Sequence, residues 1–147
     1  MSKPRDSFKF HSLLHSADLV HDYLHLQLST SNLSPQQARV IKALNRMGPL
    51  SQIELAREFN IAAASMSTMT KRLIALNYVS SERDPHNAKR NLISLTTEGE
   101  ALVEFIDEAW KDVDLYLEKK IGADNLEKLS ELTRLLRDSL GGRIPGS

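Results

Sequence analysis

The sequence predicts a mainly α-helical fold with one small β-hairpin, and three observations predict it. Within residues 50–96 two short amphipathic stretches meet at an asparagine and are followed, without a gap, by two β-type runs around a basic turn. On either side, residues 7–30 and 97–140 repeat apolar side chains at three- and four-residue spacing, the pattern of helices that bury one stripe. Two short helices and then a hairpin is the plan of a winged helix-turn-helix, a DNA-reading module. The expected organisation is a single domain over 1–147, with a winged helix-turn-helix lobe at 34–96 and a helical dimerisation lobe formed by 7–30 and 97–140.

From Ser7 to Leu28 the chain is apolar around much of its circumference, with Leu13, Ala17, Val20, Leu24 and Leu28 on one side and Phe8, Leu19, Tyr23 and Leu26 on another. A helix of that kind is expected to be buried between two surfaces. Its remaining arc holds His11, His15, Asp18, His21, Asp22 and His25, so four of the five histidines share one helix. Imidazoles four residues apart suit Zn²⁺, which makes a metal-responsive regulator one alternative. Zinc sites usually draw ligands from separated elements, however, and no second histidine cluster completes one, so no metal or other cofactor is assigned.

Ser51 and Glu54 form a capping box, in which hydroxyl and carboxylate satisfy orphan N–H groups at a helix start, and a helix from about Gln52 to Glu58 follows. Asn60 stands where the chain must turn, and asparagine tolerates the left-handed backbone region. From Ala62 to Leu76 the side chains Met66, Met69, Leu73 and Leu76 fall on one stripe, while Ala64, Ser67, Thr68, Lys71 and Ala75 fall on the opposite face. A helix so built docks on a core by one side and lies in a groove by the other. Tyr78–Ser80 and Asn91–Leu95 read as paired strands, with Pro85 and Asn87 marking the turn between them. Thr97 and Glu100 offer another capping box for a helix over 97–120, which carries Leu102, Phe105, Ile106, Ala109, Val113, Tyr116 and Leu117 at helical spacing. Gly122 and Asp124 break and restart the helix, and Leu126, Leu129, Leu132, Leu136 and Leu140 form the stripe of the last one.

On these residues the segment resembles the DNA-binding lobe of the MarR family of bacterial and archaeal transcription regulators, over roughly residues 34–100. Leu50-Ser51-Gln52 through Glu54-Leu55-Ala56 resembles the family's LTQxELA helix start. Ser65 and Arg72-Leu73 fall where its recognition helix has Thr and Arg-Leu, Asp84-Pro85 resembles the start of its wing, and Leu95-Thr96-x-x-Gly99 resembles its LTxxG exit. Two departures matter. Asn87-Ala88-Lys89 replaces the family's Asp-x-Arg, which predicts a looser wing without the carboxylate–arginine pair. Ala62, Ala63 and Thr68 stand where the family often has Ser, Lys and Arg, so readout should lean on small contacts and DNA shape. The resemblance implies a homodimer that presents two recognition helices to a near-palindromic duplex, and a repressor released when a small aromatic or phenolic effector binds between the lobes.

The candidate DNA contacts follow from these placements. Ala63 and Ala64 bring backbone close to the bases, Ser65, Ser67 and Thr68 offer hydroxyls, and Gln52 offers an amide at a helix start. Lys71 suits a phosphate; Arg72 suits one too, or an ion pair with Glu82 or Asp84. Arg83, His86, Lys89 and Arg90 sit around a wing tip shaped for the minor groove, where cations gain from concentrated negative potential. For the effector, a cleft lined by His11, His15, Tyr23, Arg39 and Trp110 can be assembled from helix faces.

Composition sets the outer bounds. The 147 residues are 41% hydrophobic and 26% charged, ordinary values for a globular chain, but the formal net charge of zero argues at first against nucleic acid. Its distribution reverses that argument: residues 60–95 carry a net +3 and residues 96–147 a net −5, a basic lobe on an acidic scaffold. With no cysteine, disulfides and thiol sensing are excluded. No Gly-x-Ser-x-Gly elbow or phosphate-cradling glycine loop supports an enzyme. The principal rival is a winged helix used for protein contact, which the alanine-rich outer face permits. No apolar run approaches the roughly 18 residues of a membrane span and Met1–Lys9 is too polar for a secretory signal, so a cytoplasmic location without membrane contact is expected. Residues 1–6 and 141–147 are expected to be frayed.

Overall fold

The computed structural model describes residues 7–147 as six helices and one hairpin, so the expectation for residues 1–6 lies outside the described residues. The order is α1 (Phe10–Leu28), a 3-10 turn (Ser29–Ser31), α2 (Pro35–Met47), α3 (Gln52–Phe59), α4 (Ala63–Ala75), β1 (Val79–Asp84), β2 (Asn87–Leu95), α5 (Thr97–Ile121) and α6 (Ala123–Ser139). The predicted class, mainly helical with a two-stranded antiparallel wing, is the class observed.

Local chemistry explains where the elements begin and end. Ser51 and Glu54 form the expected reciprocal box, with Glu54 N–H donating to the Ser51 hydroxyl and Ser51 N–H to the Glu54 carboxylate. Asn60 closes α3 at φ 52°. Helix α2 has no counterpart among the sequence expectations, yet its start is equally well marked: Ser34 and Gln37 cap each other and Pro35 occupies the first turn, where its missing N–H costs nothing. At α5 the cap falls one residue before the expected one. Thr96, not Thr97, accepts the Gly99 N–H at 3.0 Å, and it also donates to the Asn77 carbonyl at 2.7 Å. No Thr97–Glu100 box forms, because Thr97 is already helical and the residue at the third helical position is glycine.

That glycine explains the LTxxG pattern physically. A Cβ at Gly99 would stand 2.0 Å from the Tyr78 carbonyl oxygen, so only glycine lets α5 leave the foot of the hairpin. The strands are longer than Tyr78–Ser80 and Asn91–Leu95 suggest, pairing from Val79–Leu95 to Arg83–Asn91, with a register shift between Arg83 and Asp84 that leaves Asp84 opposite Asn87. Leu50 adds a short bridge to Ile93, which ties the hairpin to the start of α3.

One apolar cluster joins both lobes: Ile41 and Leu44 of α2, Leu55 of α3, Met66 and Leu73 of α4, Val79 and Ile93 of the hairpin, Ile106 and Ala109 of α5 and Leu28 of α1. Of the predicted α4 stripe, Met66 and Leu73 are fully buried while Met69 and Leu76 are half-buried. Helices α1 and α6 contrast with this. Only Leu28 of α1 and no residue of α6 is buried, and Phe10, Leu13, Leu14, Leu19, Leu26, Leu129, Leu132, Leu135 and Leu136 are exposed.

Residues 141–147 do not fray. Gly141, at φ 84°, reverses the chain after α6, Gly142 N–H donates to the Arg137 carbonyl at 2.8 Å, and the following residues fold back against α2 and α3 with Pro145 buried. The predicted fray fails because the Gly-Gly pair acts as a helix stop.

Candidate nucleic-acid interface

Helix α4 presents the face that its sequence predicts. Ala63, Ala64, Ser65, Thr68, Lys71 and Arg72 are exposed and Ser67 is half-buried, while Met66, Thr70 and Leu73 anchor the opposite side. The Thr68 hydroxyl donates to the Ala64 carbonyl at 3.1 Å, which leaves its lone pairs facing outward. Arg72 is not an ion-pair partner of Glu82 or Asp84: among the described residues Lys71, Arg72, Arg83 and Lys89 make no ion pair and stay exposed.

Gln52 takes on a structural role besides the expected one. Its Nε2 donates to the Thr70 hydroxyl at 2.9 Å, and that hydroxyl donates in turn to the Ser67 carbonyl at 3.1 Å. The amide thereby fixes the first helix of the pair against the second, and its second N–H and its carbonyl oxygen remain for a duplex. Thr70 escaped notice because its position lies on the apolar stripe; the signal was a hydroxyl at a core position, which demands a partner.

The wing corrects the sequence reading most. Asn87 and Lys89 do not pair through their side chains; the Asn87 carbonyl oxygen of the amide side chain only accepts the Lys89 N–H at 3.1 Å. The carboxylate–arginine pair is nevertheless present, made by Asp84 and Arg90. Arg90 Nε donates to Asp84 Oδ2 at 2.6 Å and Arg90 Nη1 to Glu54 Oε1 at 3.0 Å. Asp84 Oδ1 accepts the His86 N–H at 2.9 Å, and Glu54 Oε2 accepts the Ser51 N–H at 2.8 Å. The wing is therefore pinned to the start of α3. The register shift at Asp84 brings residues six apart in sequence to the same side of the turn.

Charges in this network reinforce one another. The Arg90 hydrogen bond, and then the His86 N–H, hold the Asp84 carboxyl below the usual carboxylate range. The Ser51 N–H is the main cause of the downward shift at Glu54, with Arg90 contributing, and the two carboxylates raise Arg90 above the ordinary guanidinium value. Arg90 is thus committed to holding the wing while its side chain stays partly exposed; Lys89, Arg83 and His86 remain as exposed tip residues.

The five residues nominated for an effector do not converge. Arg39 and Trp110 line one cavity of about 520 Å³ together with Lys42, Arg46, Arg143 and Pro145. His11, His15 and Tyr23 line no part of it. The His11 ring packs edge-on against Phe10 and Phe8, with centroids 4.3 and 5.4 Å away, His15 is exposed on α1, and Tyr23 stacks on Tyr116 at 3.9 Å. The reason is rotational: these α1 side chains face other directions than the α2–α5 groove. Arg39 lies 5.2 Å over the Phe59 ring, and burial lowers its pKa. Among the described residues no three His, Asp or Glu side chains converge in a metal-binding arrangement, so the α1 histidines stand as an arc along one helix.

Comparison with known proteins extends this geometry. Residues 31–90 match the model of the MarR family. The chain is 26% identical over 132 residues to the uncharacterized HTH-type transcriptional regulator YdgG of Bacillus subtilis (strain 168), covering 88% of this chain and 86% of that protein. It is 29% identical over 105 residues to the HTH-type transcriptional regulator FarR of Neisseria gonorrhoeae, covering 71% and 72% respectively. The fold superposes on a mutant MarR from E. coli in complex with operator DNA with a TM-score of 0.78, at 22% identity, over 90% of this chain and 99% of that one.

Proposed function

We propose that the chain is a MarR-family winged helix-turn-helix protein, a DNA-binding regulator of transcription and not an enzyme, and that it acts as a homodimeric repressor on a near-palindromic operator. The observation that carries this reading is the outer face of α4: small side chains at Ala63, Ala64 and Ser65, flanked by Lys71 and Arg72 with no carboxylate partner among the described residues, beside a wing held in place by Arg90. Backbone can approach base edges along such a face, while Lys71, Arg72, Arg83 and Lys89 reach phosphates and the minor groove. Arg90 acts chiefly by fixing where Lys89 projects, and Gln52 by fixing α3 against α4.

The exposed apolar faces of α1 and α6 support the dimer. An amphipathic helix of 17 residues with none buried gains little from its own chain and requires a partner surface. A two-fold arrangement through these helices sets two copies of α4 on one side of a duplex.

The cavity beside Arg39 and Trp110 supports a small aromatic or phenolic anion as effector. Arg39 and Arg46 line it with no carboxylate partner among the described residues, Lys42, Arg137 and Arg143 being held by Asp107, Asp138 and Glu58, and Trp110, Ala43 and Pro145 offer apolar surface. An effector that prefers the DNA-incompetent spacing about 100-fold supplies about 2.7 kcal/mol of coupling. A role in binding DNA supports a cytoplasmic location; among the described residues no helix is long and apolar enough to cross a membrane.

Selection of bound duplexes from a random pool, with the mass of the complex measured alongside, tests the reading. Enrichment of an inverted repeat carried by two chains is the expected result. No enrichment at any salt concentration transfers α4 and the wing to a protein-contact role.

A further inference from the structure

The segment after α6 makes contacts that reading DNA does not require. Arg143 and Gly146 grip both oxygens of Glu58, in the last turn of α3: Arg143 Nη2 stands 3.0 Å from Oε1, and the Gly146 N–H donates to Oε2 at 2.9 Å. Among the described residues Glu58 has no other polar partner. Pro145 is buried between the two contacts, and the backbone at Gly146 lies so close to α2 that a Cβ there would stand 2.9 Å from Met47 Sδ.

These residues connect the scaffold to the reading pair. Helix α6 packs on α5 and leaves its own apolar face open, while α3 leads through Asn60 directly into α4. A carboxylate held at one oxygen by a guanidinium and at the other by a backbone N–H three residues further on resists both sliding and rotation of α3 relative to α6.

We propose that residues 143–146 form a strap that fixes the reading lobe on the scaffold, and that Glu58 and Arg143 thereby determine which half-site spacing the protein accepts. The inference rests on the dimeric DNA-reading role above. Each base pair added between half-sites moves them about 3.4 Å apart and rotates one about the duplex axis. A strapped dimer meets that displacement only by distorting itself or the DNA, whereas an unstrapped one lets each reading lobe follow its half-site.

The test uses the full chain and a set of inverted repeats whose spacer is lengthened or shortened by one or two base pairs. Arg143→Ala removes the ion pair, and Gly146→Ala unseats the backbone contact, since that residue has φ 82° as well as the close sulfur. Neither residue is among those nominated for DNA contact. In both variants the preference for the best spacing over its neighbours should narrow about fivefold or more, with affinity for an isolated half-site unchanged and the melting temperature lowered by no more than a few degrees. Exchanging the two charges, Glu58→Arg with Arg143→Glu, should restore part of the preference. A spacing profile identical to wild type in both variants overturns the strap alone. Failure of the wild type to select any inverted repeat overturns the dimeric reading, and the spacing role with it.

Discussion

Arg90 shows how a side chain nominated as a ligand can also be a strut. Its position at a wing tip suggests a DNA contact, but two of its nitrogens serve Asp84 and Glu54. Arg90→Ala should therefore leave a buried carboxylate without its cation, lower the denaturant midpoint and speed amide exchange in the hairpin, beyond any loss of DNA affinity. The effect has a pH signature. Both carboxyls titrate below their ordinary values in the folded chain, so their stabilisation is fully present above the ordinary range of about pH 4 and is lost as pH falls through the lower folded values. The stability gap between wild type and Arg90→Ala should accordingly be widest above about pH 5 and shrink towards pH 3; equal gaps at both ends would mean that the network does not hold the wing. Lys89 predicts the opposite profile. Lys89→Ala should leave the midpoint unchanged, weaken binding on all sequences, and reduce the salt dependence of the affinity by about one unit per half-site.

At the scale of elements, what was legible depended on whether the signal was local. The α3–α4 pair could be read because Ser51, Glu54 and Asn60 act within a few residues of themselves. Helix α2 carried an equally local mark in Ser34-Pro35-Gln36-Gln37 and could have been read the same way. The wing's ion pair could not, since it depends on a register shift that only pairing of the two strands reveals. The effector cleft failed for a similar reason: helical spacing tells which residues share a face, but not which neighbour that face meets. Gly99 joins the two scales, a sequence motif whose cause is a contact with Tyr78. Gly99→Ala should cost about 3 kcal/mol by chemical denaturation, because the obstacle at 2.0 Å is backbone and cannot swing aside.

For the whole molecule, a neutral chain hides a polarised one. The basic side chains of α4 and the wing sit opposite a scaffold whose α5 and α6 carry most of the acids, so the zero net charge is a sum over two unlike halves. A duplex is steered towards one side and repelled from the other. The open leucines of α6 complete the picture. Leu132→Glu, placed where the side chain is well exposed in a single chain, should leave helix content intact, shift the mass in solution from two chains to one, and reduce operator affinity far more than half-site affinity. A variant that remains a dimer would move the interface away from α6.

Glu54 divides its two oxygens between the start of its own helix and the wing. Substitutions at Glu54, Asp84 and Arg90 are therefore coupled: loss of Arg90 strands the Asp84 carboxylate, whereas loss of Asp84 or Glu54 leaves Arg90 one remaining partner. A hairpin transplanted into this chain should stand correctly only if it brings an arginine that meets Glu54 from the same side and a carboxylate at position 84 to receive it.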